Sequence, residues 1–364
     1  MVFENYTFGD FATFKYGKMP NKKKVTETGK YPIYSGYRYV GYYDEYNTEK
    51  GQLIIVARGV GGTGDVKMTS EKCYLTNLSI SANINTNIAF PEYLYYYFAK
   101  RNLRYLDSGS AQSQITISDL EKVSIPLPHI EMQKNIVSYL EAIDRKIKNN
   151  NALNNNLADL LQTIYQKRFG NFNSDITQGT LSDICSYSRD KVSVASLDVN
   201  TYFSTENMLP GKAGASEATS LPTTSQTTAC GKGDTLVSNI RPYFKKIVYC
   251  ENECGCSTDV LCFKPIHTKY AAYLFCTLYA DKFFTFMVAG SKGTKMPRGD
   301  KQQLMTYPVV LPSDDELDDF NALALPILAQ IHTNRGENKR LSATRDTLLP
   351  KLMSGELDVS NIDL

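Results

Sequence analysis

The chain has 364 residues, of which 42% are hydrophobic and 21% are charged, and its formal net charge at pH 7 is +2. This composition is typical of a globular protein of about two domains and excludes an intrinsically disordered chain. No apolar run approaches the roughly 20 residues that cross a bilayer, and the N-terminus lacks the features of an export signal. We therefore expect a cytoplasmic protein whose eight cysteines are reduced thiols.

Residues 1–128 are predicted to form a globular α/β unit in which strands predominate. Its predicted elements are two strands, Gln52–Ala57 and Cys73–Ile80, and one helix, Pro91–Arg104. Between the strands, Gly59–Gly64 fits the G-x-G-x-x-G pattern of dinucleotide-binding proteins. Such a site needs a helix to begin at the loop, and no helical pattern follows. We interpret the segment as a flexible glycine loop beside Arg58 that can approach a phosphate or a DNA groove.

Two later segments, residues 129–170 and 313–364, are each predicted to form a long helix. In the first, seam residues recur at alternate intervals of four and three, at Ile136, Leu140, Ile143, Ile147, Asn150, Asn154, Leu157, Leu161 and Ile164. In the second, the corresponding residues are Phe320, Ala324, Ile327, Ile331, Asn334, Asn338, Leu341, Arg345 and Leu348. This spacing is typical of a coiled coil, and the alternative is an amphipathic helix on an ordinary core. Breaker residues predict a kink or break at Pro326 and Gly336, and an end at Pro350 and Gly355.

Each seam carries two asparagines at its middle. If the helices pair antiparallel, Asn150 and Asn154 face Asn338 and Asn334. Amides can satisfy one another there, and a slip in register would bury an amide against an apolar residue. The alternative is that the asparagine-rich stretch is solvated or frayed, because asparagine is a poor helix former.

The helices belong to a longer internal repeat. From Leu127-Pro128 and Leu311-Pro312 onward, a constant offset of 184 residues aligns the two segments without a gap. Upstream, the segments that begin at Gly51 and Gly233 are also similar. We infer a duplicated unit, with domains at 1–128 and 171–312 and helical spacers at 129–170 and 313–364.

The second unit, residues 171–312, has elements similar to those of the first. The predicted elements are strands at Thr235–Ile240 and Val260–Phe263 and a helix at Tyr270–Phe286. The spacing Cys250-x3-Cys254-x-Cys256, with Cys262 beyond, suggests zinc, but it lacks two paired knuckles. We therefore favour ordinary thiols and predict no metal site.

No pattern in the sequence supports autonomous catalysis. The chain lacks the Pro-Pro of adenine methyltransferase motifs and the phosphate-binding G-x-x-x-x-G-K-[ST] pattern, and its three histidines lie outside any nucleophile signature. We predict no catalytic residue.

Several motifs resemble the specificity subunits of type I restriction–modification systems. Ile125–Val137 is similar to the entry into their first long helix, and Arg345–Leu357 to the end of their second. Gly109–Ile115, Phe203–Leu209 and Ser238–Phe244 resemble parts of their target-recognition domains. The resemblance implies two β-rich target-recognition domains of mixed α/β (α+β) class, joined by two long helices that form an antiparallel intramolecular coiled coil with pseudo-twofold symmetry.

The resemblance also implies a function. Each target-recognition domain would read one half of a bipartite, asymmetric site in double-stranded DNA, and the helices would bind two modification (methyltransferase) subunits. The chain would bind no cofactor, whereas partner subunits would use S-adenosylmethionine, ATP and Mg²⁺, and restriction (translocase/nuclease) subunits would add cleavage. Two alternatives stay open, namely a specificity module of a fused restriction–methylation enzyme and a coiled-coil adaptor that binds no DNA.

Candidate DNA contacts follow from residue type, because lysine mostly contacts phosphates, whereas arginine and glutamine can read base edges. In the first unit they are Lys15, Lys18, Lys22, Lys23, Lys24, Arg38, Arg58, Gln112 and Gln114. In the second unit they are Arg189, Lys191, Arg241, Lys245, Lys246, Lys292, Lys295 and Arg298.

Overall fold

The structure is a computed structural model in which residues 2–36, 38–59, 62–107, 114–170 and 178–359 are described. The chain forms two compact units, one made of Met1–Ile147 with Lys339–Leu364 and the other of Lys148–Asn338. Each of the two long helices therefore contributes one part to each unit. Within the described ranges, no helix is both long and apolar enough to cross a membrane.

The first unit is built on small sheets and short helices. Its strands are β1 (Phe3–Thr7), β2 (Ala12–Tyr16), β3 (Tyr31–Ser35), β4 (Arg38–Tyr43), β5 (Leu53–Val56), β6 (Val66–Met68), β7 (Tyr74–Leu75), β8 (Ser79–Ile84) and β9 (Ser124–Pro128). Its helices are α1 (Phe8–Phe11), α2 (Pro91–Ala99), α3 (Ile117–Glu121) and the first part of α4 (Ile130–Phe169). The sheets have the strand orders β1-β9, β2-β8-β5-β6 and β4-β3-β7.

The second unit has the same plan. Its strands are β10 (Gln178–Thr180), β11 (Cys185–Tyr187), β12 (Lys191–Ser193), β13 (Tyr202–Phe203), β14 (Gln226–Cys230), β15 (Thr235–Ser238), β16 (Ile247–Tyr249), β17 (Cys254–Cys256), β18 (Val260–Pro265) and β19 (Pro308–Val310). Its helices are α5 (Ala271–Tyr279), α6 (Asp281–Ala289), α7 (Lys301–Met305) and parts of α4 and of α8 (Asp314–Ser354). The sheet orders are β10-β19, β11-β18-β15-β16 and β12-β14-β17-β13.

The repeat in the sequence is therefore a repeat in topology. In each unit a central strand, β5 or β15, lies between two antiparallel neighbours in a four-stranded sheet. The last strand of each unit, β9 or β19, pairs antiparallel with the first, β1 or β10. Every position of β5 and β15 is buried, because each strand is covered on both faces; all four side chains of β5 and two of the four of β15 are apolar.

The helices α4 and α8 run antiparallel inside each unit. In the second unit Asn150 Nδ2 donates to Asn338 Oδ1 at 2.9 Å and Asn334 Nδ2 donates to Asn154 Oδ1 at 2.8 Å, so the partner number falls as the α4 number rises. In the first unit an Arg345–Asp144 ion pair of 2.6 Å follows the same register. The predicted fold class, with an antiparallel intramolecular helix pair, is confirmed.

Local sequence signals mark the two ends of α8. Ser313 Oγ accepts from the Glu316 backbone amide, and the Glu316 carboxylate accepts from the Ser313 amide at 2.8 Å, which is a reciprocal capping box. Gly355 (φ +77°) follows the last helical residue, in the left-handed conformation that glycine adopts without strain. The predicted end at Gly355 is therefore correct, whereas Pro350 lies inside the helix.

A kink or break was predicted at Pro326 and Gly336, and the structure shows no break at either position. The helix α8 is continuous through Pro326 and Gly336. A proline removes a single backbone hydrogen bond of a helix, and buried neighbours such as Ala324 and Leu328 anchor the helix to the core of the second unit on both sides of it. The free energy gained by packing the seam thus outweighs the local cost of placing Pro326 and Gly336 in a helix.

Three further boundaries differ from those predicted. The expected strand Cys73–Ile80 is divided by a turn in which the Ser79 amide donates to the Thr76 carbonyl, so that β7 and β8 enter different sheets. The expected helix Pro91–Arg104 ends at Ala99 and is followed by a 3₁₀ turn. The expected helix Tyr270–Phe286 is divided at Ala280, whose backbone is extended. No propensity marks that division, because alanine is the strongest helix former.

Candidate nucleic-acid interface

The most basic loop cluster of the second unit lies where the central strand β15 ends. Ile240 bridges to Arg298, and Lys292 bridges to Arg298 in turn. The Arg241 amide donates to the Pro297 carbonyl at 2.8 Å. These backbone contacts bring three of the predicted candidates, Arg241, Lys292 and Arg298, into one loop cluster.

Arg241 has an unusual backbone and an unsatisfied side-chain atom. Its φ of 50° and ψ of 63° are left-handed, a conformation that costs a non-glycine residue of order 1 kcal/mol and is common at functional sites. Its Nε is buried and has no hydrogen-bond partner among the described residues. A buried N–H without an acceptor costs about 1–3 kcal/mol, so an acceptor supplied by a ligand would stabilise this arrangement.

Ion pairs already neutralise several neighbours of Arg241. Arg298 donates to Asp259 at 3.2 Å, and Lys292 donates to Asp300 at 2.7 Å. Lys245 lies 2.9 Å from Asp281. Exposed ion pairs of this kind contribute little stability, so a phosphate could replace the carboxylate partner of Arg298, Lys292 or Lys245 at small cost.

The ammonium group of Lys246 is hydrogen-bonded to the protein and partly buried. Its Nζ donates to the Thr205 carbonyl at 2.5 Å, and burial lowers its pKa. Two aromatic side chains beside it, Tyr243 and Phe244, are 52% and 40% exposed, and their ring centroids are 4.7 Å apart. Exposed aromatic rings next to cations suit contact with bases or sugars. The sequence reasoning singled out Arg241 but missed this ring pair, whose signal is the Arg-Pro-Tyr-Phe run.

The first unit has the corresponding arrangement. Arg58 follows the central strand β5 and bridges to Gln114, the residue aligned with Arg298 at the offset of 184. The Ile115 amide donates to the Ala57 carbonyl at 2.9 Å, which holds the two segments together. Arg58 Nε, like Arg241 Nε, is buried without a partner among the described residues.

The glycine loop beside Arg58 is partly constrained. Gly64 (φ +89°) packs so closely that a Cβ would lie within 2.3 Å of the Arg104 backbone nitrogen. Gly59 (φ +134°) has nothing within 4 Å of its Cβ position. One end of the loop is therefore fixed by packing, and the other faces open space beside Arg58. Val60 and Gly61 lie outside the described residues, as does Gln112.

The remaining cations of the first unit are spread over its surface. Lys22, Lys23 and Lys24 form an exposed 3₁₀ turn that Asn21 caps by accepting from the Lys23 amide at 3.1 Å. Arg38 begins β4 and is exposed, and Lys15 and Lys18 are exposed on and after β2. Backbone pairing joins only Arg58 and Gln114 among the candidates of this unit.

Two candidates of the second unit lie apart from the Arg241 loop, and a third lies in the turn from Lys292 to Arg298. Arg189 and Lys191 are exposed at the start of β12, and no contact in the described part of the chain joins them to Arg241. Lys295 is exposed in the turn between Lys292 and Arg298. The described residues contain no group of three or more histidine, cysteine or acidic side chains that could hold a metal ion.

A buried glutamine attaches the first unit to its helix. Gln133 is completely buried, donates to the Ile88 and Pro128 carbonyls at 2.9 and 2.8 Å, and accepts from the Phe90 amide at 2.8 Å. The aligned residue in the second unit is Leu317, which is buried in an apolar core instead. The motif Glu131-Met132-Gln133 thus carries a packing role.

Comparison with known proteins connects this geometry to a family. Residues 2–159 match the family model described as "Type I restriction modification DNA specificity domain". The structure is similar to the crystal structure of the type I restriction–modification S subunit from M. genitalium, with a TM-score of 0.67, 19% identity and 96% of each chain covered. This similarity establishes a common fold.

A second similar structure is the HsdS subunit from Thermoanaerobacter tengcongensis. It shares 15% identity over 98% of this chain and 97% of that chain, with a TM-score of 0.35 that supports no argument about function. No curated protein sequence is significantly similar to this chain.

Proposed function

We propose that this chain is a non-catalytic specificity subunit that binds double-stranded DNA, because residues 2–159 match the model of type I restriction modification DNA specificity domains. Residues 1–128 and 171–312 are the two target-recognition domains, and residues 129–170 and 313–364 are the helical spacers. Each domain reads one half of a bipartite, asymmetric site.

One observation carries this proposal, namely that an arginine with a buried, unpartnered Nε follows the central strand in each unit. Arg58 itself bridges to Gln114, whereas Ile240, the neighbour of Arg241, bridges to Arg298, and neither arginine Nε has a partner among the described residues. A guanidinium held in this way can bind a guanine edge or a phosphate with charge-assisted hydrogen bonds. The two loops differ in their neighbours, which supports recognition of two different half-sites.

The partners in this proposal are two modification subunits bound through the helices, with restriction subunits completing the complex in the cytoplasm. S-adenosylmethionine, ATP and Mg²⁺ act in those partners, and this chain binds none of them. The absence of a recognisable catalytic pattern in the sequence supports the division of labour.

The test is a domain exchange read by methylome sequencing. Cells that express the chain with its modification subunit should carry N6-methyladenine at one bipartite motif. Replacing residues 171–312 with those of another specificity subunit should change one half of the motif and leave the other. A change in both halves, or in neither, would overturn the assignment of one domain to one half-site.

A duplex-binding measurement separates this proposal from the adaptor alternative. A DNA-specificity subunit should bind duplex DNA with an affinity that falls steeply with salt, because phosphate contacts release counterions. A coiled-coil adaptor should show no such binding. A module of a fused enzyme would differ only in the partner that copurifies with it.

A further inference from the structure

The second unit contains a cavity of about 350 Å³ that plays no part in the proposed DNA interface. It is enclosed by side chains of α4, α5 and α8 and by the loop that contains Lys212. The volume is within the range of small-molecule sites, roughly 300–1,000 Å³. Much of the lining is apolar or aromatic, including Leu161, Phe275, Tyr279 and Leu328.

Arg335 brings an unpaired cation into this lining. It projects from α8, and no hydrogen bond or ion pair joins its guanidinium to any residue in the described ranges. Burial lowers the pKa of Arg335, and the Tyr279 side chain opposes that effect. Arg335 is half-buried, so its guanidinium is both partly desolvated and open to an anionic ligand.

The guanidinium of Arg335 packs directly against the backbone of Gly214. Gly214 has a φ of +89°, and a Cβ at that position would lie 2.7 Å from Arg335 Cζ. This contact brings the guanidinium close to the backbone without giving it an acceptor.

The other charges around the cavity do not provide the missing partner. Lys212 is a cation whose Nζ pairs with Asp281 at 2.8 Å and lies 4.5 Å from the centroid of the Tyr279 ring. Glu251 lines the wall, and no ion pair joins it to Arg335 in the part of the chain that the structure describes. His332 lines the exposed side.

We propose that this cavity binds a small aromatic carboxylate, whose carboxylate group pairs with Arg335 and whose ring packs against the aromatic wall. The planar guanidinium presents two parallel N–H donors that match a carboxylate. Phe275 and Tyr279 provide the ring contacts, and Gln162 and Asn155 line the remainder with amides. None of the residues that line the cavity is among the candidate DNA contacts.

The experiment measures binding of benzoate and of its neutral isostere, benzamide, to the full-length chain by calorimetry and ligand-observed NMR. Benzoate should bind at least tenfold more tightly than benzamide. Arg335→Met should reduce benzoate affinity to that of benzamide, and Arg335→Lys, which keeps the charge and loses the fork, should give an intermediate value. Glu251→Gln is the matched wall variant and should bind benzoate as well as the parent or better, because it removes a repelling charge.

Thermal unfolding of the chain provides an independent readout. Benzoate should raise the apparent Tm of the parent chain, because it binds only the folded state, and Arg335→Met should abolish that rise. The proposal is overturned if benzoate and benzamide bind equally, if neither binds, or if Arg335→Met retains preferential benzoate binding. DNA binding should be unchanged in Arg335→Met, so failure of this site is distinguishable from failure of the proposed function.

Discussion

Asn334 Nδ2 donates a 2.8 Å hydrogen bond to Asn154 Oδ1, and the two residues are only 4% and 7% exposed. Both lie on the seam between α4 and α8, one turn from the pair formed by Asn150 and Asn338. A buried amide is stable only opposite another polar group, so this pairing favours one register of the helices over its slipped alternatives.

Asn154→Leu should therefore destabilise the chain more than its hydrophobicity suggests. It leaves Asn334 Nδ2 without an acceptor, at an expected cost of about 1–3 kcal/mol. The double variant Asn154→Leu/Asn334→Leu should recover most of that loss, because both polar groups are gone. Urea unfolding of the four members of this double-mutant cycle, followed by helical circular dichroism, gives the coupling energy.

Asn156→Leu, at an exposed position on the same helix, is the matched control for that cycle. Its cost should be within about 0.5 kcal/mol of zero, as for most surface changes. If Asn154→Leu costs no more than Asn156→Leu, the asparagine pairs do not fix the register.

Arg345, the charged residue on the seam of α8, forms an ion pair with Asp144. Arg345 donates to Asp144 at 2.6 Å, and Asp144 also accepts from the Tyr96 hydroxyl at 2.7 Å. Asp144→Ala should cost about 1–3 kcal/mol, because it leaves the buried Tyr96 hydroxyl without its acceptor and Arg345 with Asp346 alone. Asp144→Ala should cost less when Arg345 is already leucine, which restores the apolar heptad. Glu141→Ala, one turn away and exposed, should have little effect in the same urea titrations.

Asp281 should make stability depend on pH in the acid range. Hydrogen bonds from Lys212 and Lys245 lower the pKa of Asp281 from 3.8 to about 2. The folded chain thus favours the ionised carboxylate, and this stabilisation is complete above about pH 4 and is lost as the pH falls towards 2. The Tm difference between the parent and Asp281→Asn should accordingly be smaller at pH 3 than at pH 6.

The control for Asp281 removes its partners. In a Lys212→Met/Lys245→Met background, Asp281→Asn should change the Tm equally at both pH values. A pH-dependent difference that persists there would mean that the two lysines do not cause the lowered pKa.

Arg58 and Arg241 should each matter to one half-site. Replacement by alanine should cost about 1–3 kcal/mol of discrimination at a base if the contact is bidentate. If the contact is to a phosphate, affinity should fall at all sequences and the salt slope should decrease by about one. Filter binding over a series of salt concentrations, with half-site variants of the DNA, distinguishes the two outcomes.

Matched controls exist at the opposite ends of the same strands. Lys50 precedes β5 and Lys232 precedes β15, and both are exposed. Their alanine variants should leave affinity and salt slope unchanged. Equal losses from Lys232→Ala and Arg241→Ala would show a general effect of charge and contradict a specific role for the arginine.

The cysteines should be unreactive in the folded chain. All eight are buried free thiols, and burial raises the pKa of Cys73 to about 11. Hydrogen bonding with Cys230 and Cys250 lowers the pKa of Cys254 to about 5, so burial alone protects this thiol from a bulky reagent. A bulky disulfide reagent should label few thiols within minutes under native conditions and all eight in guanidinium. Rapid labelling of the native chain would contradict the buried placement of this set.

Much of the long-range plan was predictable, because it is recorded in local periodicity. The alternating spacing of four and three predicted α4 to within a residue, from Ile130 to Phe169, and the fixed offset of 184 predicted two units of one topology. The facing asparagines followed from antiparallel pairing alone. Arg58 was singled out because it directly follows a predicted strand, and Arg241 because it lies in a loop framed by Gly, Asn and Pro.

Tertiary structure decided what depends on residues distant in the chain. The continuity of α8 through Pro326 and the division at Ala280 both run against local propensity, because packing against the core outweighs single-residue preferences of about 1–3 kcal/mol. Likewise, Arg298 is neutralised by Asp259 and Lys245 by Asp281, whereas Arg335 finds no partner in the described part of the chain. The sequence by itself determined the periodic elements and their pairing; which charges are satisfied, and which are left for a ligand, was decided only by the folded chain, because electrostatic pairing depends on distance in space.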